Sequence, residues 1–183
     1  HSVIDSPLLI LIISMLAGGL IAAVFGFIIG LPALRLKGDY LAIVTLAFGE
    51  IVRTIFKNLK VFGGALGLST KKYGSDLFIV ALIVVLIMLV LIQNLVRSKH
   101  GRAITAIRDN EIAAKAMGIN VTFYKLLVFV ISAFFAGIAG VIYGHYATPV
   151  LYSFFSYNYS IEILVMVVLG GMGSINGSIV AAG

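Results

Sequence analysis

Few side chains in this chain are of a type that performs acid–base or metal chemistry, and those few are widely separated. The three histidines, His1, His100 and His145, lie in different segments and have neither metal-ligand nor catalytic-triad spacing. The chain contains no cysteine, which excludes disulfides and thiolate metal sites. The candidates for an intramembrane carboxylate are Glu50 and Glu162. The pattern argues against an enzyme active site.

Glu50 and Arg53 are three residues apart, so they share one face of a helix and can pair. An ionisable residue in a spanning helix normally faces a bundle interior or a wet cavity. Two interpretations stay open: a helix end near the membrane interface, or a buried Glu50 on a translocation path. A proton-coupled carrier would need such a carboxylate, and replacing Glu50 or Glu162 by Gln would then abolish transport.

A glycine cluster interrupts the last apolar run of the chain. Glycine costs roughly 1 kcal/mol relative to Ala in a helix interior, so the cluster predicts a broken helix. Two interpretations stay open: a packed turn between two shorter helices, or a solute path lined by broken-helix ends. A nucleotide-binding loop is excluded because the Gly-Lys-Ser/Thr ending is absent. The candidate path residues here are Gly170, Gly171, Gly173, Ser174 and Asn176.

The polar segment Arg97–Lys125 is the main interruption of an otherwise oily chain. Its alanines favour a helix, Asp109 or Asn110 suits the N-cap, and Gly118 suits a left-handed C-cap. We therefore predict a helix of about two turns between two spans. Two interpretations of this helix stay open: a docking site for a soluble partner, or a solvated helix within a loop. The candidate docking residues are Arg108, Asp109, Glu111, Ala113, Ala114, Lys115 and Gly118.

The composition of the chain indicates that the elements that position these residues lie in a lipid bilayer. The 183 residues are 61% hydrophobic and only 11% charged, against about 25% charged residues in soluble domains. Lipid must be the solvent for much of this surface. The net charge of +6 does not indicate nucleic-acid binding, because the basic residues lie between apolar runs. The chain begins with His1 and stops inside an apolar run, so we expect it to be part of a longer protein.

The predicted architecture is an all-α polytopic membrane protein with about five spanning helices in one partial permease domain, 1–183. A span needs roughly 20 apolar residues. The predicted spans cover residues 8–34, 40–57, 77–97, 125–146 and 161–183, and the polar segment between the third and fourth covers 98–124. The second predicted span, 40–57, is the least apolar of the five because it carries Glu50 and Arg53.

Charge and small residues predict how these spans are arranged. With five spans, eight basic residues from 35–39 and 97–125 lie on one side and five on the other, so the first group is expected in the cytoplasm. Small residues recur every four positions and let helix backbones approach closely in lipid. These stripes are Ala22–Gly26–Gly30, Ala133–Gly137 and Ala136–Gly140–Gly144.

Several of these stretches resemble the LivM-type permeases of branched-chain amino-acid ABC transporters. The run EIAA at 111–114, with Gly118 four residues later, resembles the coupling-helix motif of ABC importer permeases. The longer matching stretches follow the family's order and cover most of residues 7–183. They are Gly30–Arg53, Gly101–Asn120, Ile131–Gly144 and Val167–Gly183.

The resemblance implies a multi-pass permease of a bacterial or archaeal cell (inner) membrane that takes up hydrophobic amino acids. It implies partners: two ATPase subunits, a second permease of LivH type and an extracytoplasmic solute-binding protein. In this interpretation Glu111, Ala113, Ala114 and Gly118 form the docking helix, with Arg108, Asp109 and Lys115 at its rim. The permease needs no cofactor and is not the enzyme, since ATP hydrolysis resides in the partner subunits. The alternatives are import of urea, short amides or another small solute, and a self-sufficient channel or carrier.

Overall fold

A computed structural model describes residues 7–36, 39–59, 67, 76–147, 149–151, 153, 155–171 and 173–182. The regular structure of these residues is helical. In chain order the helices are α1 (Pro7–Ala33), α2 (Asp39–Asn58), α3 (Asp76–Arg97), α4 (Lys99–Asp109), α5 (Glu111–Ala116), α6 (Val121–Tyr146), α7 (Tyr157–Leu169) and α8 (Ile175–Ala182). The sequence between α2 and α3 contains the glycine-rich stretch 63–67, of which only Gly67 is among the described residues.

Three of these helices are long and apolar enough to cross a membrane: α1, α3 and α6. Helices α1 and α3 begin and end within one residue of the predicted bounds, because charge-free runs of this length have few other ways to satisfy their backbone in lipid. Helix α6 ends at the predicted residue but begins four residues earlier, at Val121. The predicted all-α class is confirmed. Helix α2 is 20 residues long but carries Glu50, Arg53 and Lys57, and α7 has only 13 residues. The count of five spans therefore stays a prediction.

The chain divides into two compact units. One unit contains α1, α3, α4, α5 and α6, and the other contains most of α2 together with α7 and α8. The polar segment belongs to the first unit, whereas Glu50 and the glycine cluster belong to the second. A single permease domain over 1–183 stays a prediction.

Helices α1 and α6 run antiparallel and form the most extensive helix pair of the first unit. A Cβ added to Gly18 would lie 2.5 Å from Val141 Cγ2, and one added to Gly26 would lie 2.6 Å from Ala133 Cβ. These backbones are in close contact where small residues permit it, which is how helices attract each other without a hydrophobic force in lipid.

The predicted stripes are used selectively. Gly137 meets Ala22 and the Gly18 carbonyl, so Ala22–Gly26–Gly30 and Ala133–Gly137 are confirmed as the contact between α1 and α6. Gly140 faces open space and Ala136 is exposed. The contact between α1 and α6 therefore does not use Ala136 or Gly140 of the stripe Ala136–Gly140–Gly144.

The buried core of the first unit lies between α1, α3 and α6. Leu11, Met15, Leu77 and Ile138 are buried together, with Phe134 and Val84 among the side chains packed around them. Many large apolar side chains of α1 and α3 point outward and are exposed. Such faces are the expected lipid-facing surface of spanning helices.

Candidate functional site

The polar segment begins at a tight junction between α3 and α4. Ser98 caps α4: its hydroxyl accepts a hydrogen bond from the Gly101 N–H at 3.2 Å and donates to the Leu95 carbonyl at 2.6 Å. Gly101 is buried, and a Cβ there would collide with the carbonyl oxygens of Leu95 and Val96. The chain can therefore turn from α3 into α4 within one residue only because position 101 has no side chain.

The segment forms two helices, α4 and α5: the six-residue α5 is the predicted helix of about two turns, and α4 lies before it. They are separated by Asn110, whose backbone is extended at φ −155° and ψ 101°. Its N–H donates to the Ala106 carbonyl, while its side-chain oxygen accepts from the Ala113 N–H at 3.0 Å. One asparagine thus ends α4 and caps α5, which confirms the N-cap prediction and explains the break.

Helix α5 ends at Gly118 as the sequence predicts. Gly118 has φ +83°, its N–H donates to the Lys115 carbonyl, and the Ile119 N–H donates to the Ala114 carbonyl. This pair of bonds is the Schellman motif, which requires a left-handed residue after the helix. Asn120 then caps α6 by accepting from the Phe123 N–H at 3.1 Å. The six residues of α5 are therefore fixed at both ends.

Replacing Gly118 by Val should loosen the end of α5. A β-branched residue resists positive φ, so we expect a cost of about 1–2 kcal/mol in local stability, whereas Asn tolerates this conformation better. Hydrogen exchange of the α5 amides in the full-length protein measures the effect. Faster exchange in Gly118→Val, with near-normal exchange in Gly118→Asn, is the expected result. Equal exchange in the two variants would contradict the C-cap assignment.

One ion pair and one aromatic contact attach the segment to α6. Lys125 Nζ on α6 lies 2.6 Å from Glu111 Oε2 on α5. The Tyr124 hydroxyl of α6 lies 3.4 Å from His100 Nδ1 of α4. Arg108 pairs with its neighbour Asp109 at 2.9 Å, and both are exposed. Glu111, predicted as a docking residue, is thus an attachment to a membrane-spanning helix, a role that sequence reasoning missed.

The exposed side of α5 is apolar. Ile112 and Met117 are each 83% exposed, and Ala113 and Ala116 are exposed beside them. At about 100° per residue these four positions fall within an arc of roughly 140°. We call Ile112, Ala113, Ala116 and Met117 the apolar face of α5. Sequence reasoning missed Ile112 and Met117, although their spacing around the two alanines was a usable signal.

Three further predicted docking residues, Ala114, Lys115 and Gly118, belong to α5 or its C-cap. Ala114 points the other way and is buried, so it packs α5 against the rest of the unit and leaves the apolar face outward. Lys115 and Gly118 are exposed next to the face. The structure therefore brings Glu111, Ala113, Ala114, Lys115 and Gly118 together on α5 and its C-cap, with Ala113 in the face and Ala114 behind it, whereas Arg108 and Asp109 lie at the end of α4.

The glycine cluster forms a turn between α7 and α8. Gly171 and Gly173 have positive φ, and a Cβ on Gly170 would lie 2.5 Å from the Gly177 carbonyl oxygen. The Ser174 hydroxyl accepts from the Gly177 N–H at 3.1 Å, and Asn176 is exposed at the start of α8. The predicted break is confirmed, and the span predicted over 161–183 is two helices instead of one. Close backbone packing requires the glycines here.

Glu50 and Arg53 form the predicted pair on α2. Arg53 Nη1 lies 3.2 Å from Glu50 Oε2, and the Glu50 side chain is 52% exposed. The Thr54 hydroxyl also donates to the Glu50 carbonyl at 2.8 Å. The pairing is confirmed by this geometry, whereas the role of Glu50 in a translocation path stays a prediction.

Comparison with known proteins agrees with this architecture. Residues 2–183 match the family described as the permease component of branched-chain amino acid transport systems. Two relatives are high-affinity branched-chain amino acid transport system permease proteins LivM. The one from Salmonella typhimurium is 39% identical and the one from Escherichia coli 40% identical, each over 90% of this chain and 47% of the relative.

A third relative is archaeal. It is a probable branched-chain amino acid transport permease protein LivM from Methanocaldococcus jannaschii, 30% identical over 86% of this chain and 50% of the relative. The chain spans about half the length of these curated relatives. No solved structure matches it significantly. The apolar helices fit a membrane protein, and the match over nearly every residue shows that the chain belongs to the family of permease components of branched-chain amino acid transport systems.

Proposed function

We propose that the chain is part of a permease subunit of an ABC importer for branched-chain amino acids, driven by ATPase subunits that dock on α5. The observation that carries the proposal is the apolar face of α5, with two large side chains 83% exposed on a helix fixed at both ends. An apolar patch outside the membrane-spanning helices marks a protein-contact surface. The family membership supports a transport complex as the setting.

The motion of the ATPase subunits would reach the spanning helices through the contacts that α4 and α5 make with α6. Glu111 ties α5 to α6 through Lys125, and His100 of α4 lies against Tyr124. Helix α6 is in turn in close contact with α1 along the small residues. A push on α5 would therefore be passed to α1 and α6 together, because tightly packed helices shift as discrete bodies.

The remaining parts of the proposal concern topology, partners and path. In this proposal α4 and α5 lie in the cytoplasm, where ATP is available to the ATPase subunits, and the excess of basic residues on that side supports this orientation. A second permease subunit and an extracytoplasmic solute-binding protein would complete the assembly in the cell (inner) membrane. The turn between α7 and α8 is a candidate part of the solute path, since broken helices present backbone groups to solutes. Glu50 is a second candidate.

A charge exchange at the attachment of α5 tests the coupling. Glu111→Lys removes one ion pair and sets two cations against each other, which weakens the attachment by about 1 kcal/mol, or roughly fivefold. ATP-driven uptake by the full-length complex in proteoliposomes should fall accordingly. The double variant Glu111→Lys with Lys125→Glu should restore most of it. Full uptake in the single variant would reject the role of this pair.

The solute is tested with the complete assembly. The proposal expects ATP-dependent uptake of radiolabelled leucine when the cognate solute-binding protein is present. Uptake of urea or a short amide without uptake of leucine would favour the alternative solute class. Uptake of leucine without any ATPase subunit would favour a self-sufficient carrier instead.

A further inference from the structure

A cleft of about 330 Å³ lies in the first unit beside the polar segment. It is bounded by the end of α1, by α4 and by the first three turns of α6. Most of its lining is apolar. The lining residues are Leu34, Ile104, Ile107, Arg108, Tyr124, Lys125, Val128, Phe129 and Ser132.

The charged residues of this cleft are both cations. Arg108 and Lys125 line it, while their acidic partners Asp109 and Glu111 do not. Each cation keeps donor capacity beyond its ion pair, since a guanidinium has five N–H donors and an ammonium has three. An anion in the cleft would therefore meet two positive groups.

The position of the cleft along α6 corresponds to the surface layer of a bilayer. Lys125 lies about 6 Å from the start of α6, and Ser132 lies about 10 Å deeper along that helix. Leu34 directly follows the last residue of α1, the antiparallel neighbour of α6. The cations thus stand near the ends of two spanning helices, and the apolar lining extends from them toward the hydrocarbon.

We propose that this cleft binds one anionic phospholipid, with its phosphate on Arg108 and Lys125 and an acyl chain along Ile104, Val128 and Phe129. A basic pocket between helices at the membrane surface suits an anionic headgroup, and Arg pairs with phosphate through two parallel hydrogen bonds. A free phosphate would leave the apolar lining unused, and a neutral lipid would leave unused the N–H donors that Arg108 and Lys125 keep beyond their ion pairs with Asp109 and Glu111. This site goes beyond the proposed transport function and does not depend on it.

Native mass spectrometry of the full-length permease in its complete assembly tests the proposal. The detergent-solubilised complex is titrated with phosphatidylglycerol or with phosphatidylethanolamine, and bound lipids are counted on the intact complex. We expect one phosphatidylglycerol to bind at least about tenfold more tightly than phosphatidylethanolamine. Arg108→Gln with Lys125→Gln should remove this preference, whereas Arg102→Gln, an exposed cation of α4 outside the cleft, should keep it.

A second variant tests the contribution of the apolar lining independently of the two cations. Ser132→Phe leaves both cations in place and fills the apolar end, so it should also weaken phosphatidylglycerol binding. Equal binding of the two lipids, unchanged binding in both cleft variants, or displacement of phosphatidylglycerol by inorganic phosphate would overturn the proposal. The same spectra show whether ATPase subunits remain attached, so loss of the lipid and loss of docking are read separately.

Discussion

Replacing Ile112 by Asp in the full-length permease is expected to release most of the ATPase subunits from the complex. The side chain is 83% exposed in the first turn of α5, so the substitution does not disturb the interior of the protein. In the docked complex, however, it would bury an unpaired charge. Central interface residues typically contribute about 2–4 kcal/mol, so affinity should fall at least about 30-fold. Co-purification of the ATPase subunits measures the loss.

The matched control places the same charge nearby but outside the apolar face of α5. Thr122 is exposed in the first turn of α6, where an acidic residue suits the positive end of the helix dipole. Thr122→Asp should therefore retain the ATPase subunits, and Met117→Asp should behave like Ile112→Asp. Normal ATPase content in both Ile112→Asp and Met117→Asp would show that the partner does not contact this face.

Replacing Gly137 by Leu should strongly destabilise the contact between α1 and α6. A Cβ alone at this position would lie 2.6 Å from Ala22 Cβ and 2.6 Å from the Gly18 carbonyl oxygen. The helices would have to separate, which removes the close packing on which association in lipid depends. We expect a loss of about 3 kcal/mol or more, seen as a lower melting temperature in detergent.

Gly140 supplies the comparison on the same helix. It is one turn further along α6, and a Cβ there meets nothing within 4 Å. Gly140→Leu carries the same gain in volume and the same change in helix propensity, so the difference between the two variants isolates the steric effect. Equal melting temperatures for the two variants would contradict the helix contact described above.

The long helices could be predicted from the sequence because their physics is local. A charge-free run of sufficient length must form a helix in lipid, and α1 and α3 therefore begin and end within a residue or two of the predicted bounds. Helix caps also depend on local sequence, which is why Asn110 could be predicted as an N-cap and Gly118 as a C-cap. The break at the glycine cluster follows from glycine's poor helix propensity in the same way.

Which face a residue uses could not be predicted, because it depends on the neighbouring helix. Ala133 and Ala136 head stripes of the same kind, and only the position of α1 makes Gly137 the contact. Ala113 and Ala114 were both predicted as docking residues, yet Ala114 is buried and Ala113 is exposed. The attachment of Glu111 to Lys125 joins residues 14 positions apart, beyond any local pattern.

Site-specific cross-linking at Met117 would examine the proposed docking most directly. The described chain has no cysteine, so Met117→Cys introduces a single reactive thiol on the apolar face of α5. Tyr146→Cys is the control, because Tyr146 is 73% exposed but lies at the opposite end of α6. The full-length permease, with any cysteine elsewhere replaced, is treated with a short thiol–amine cross-linker in native membranes. We predict a cross-link from position 117 to an ATPase subunit and none from position 146. An ATPase cross-link from 146 and not from 117 would contradict docking on α5.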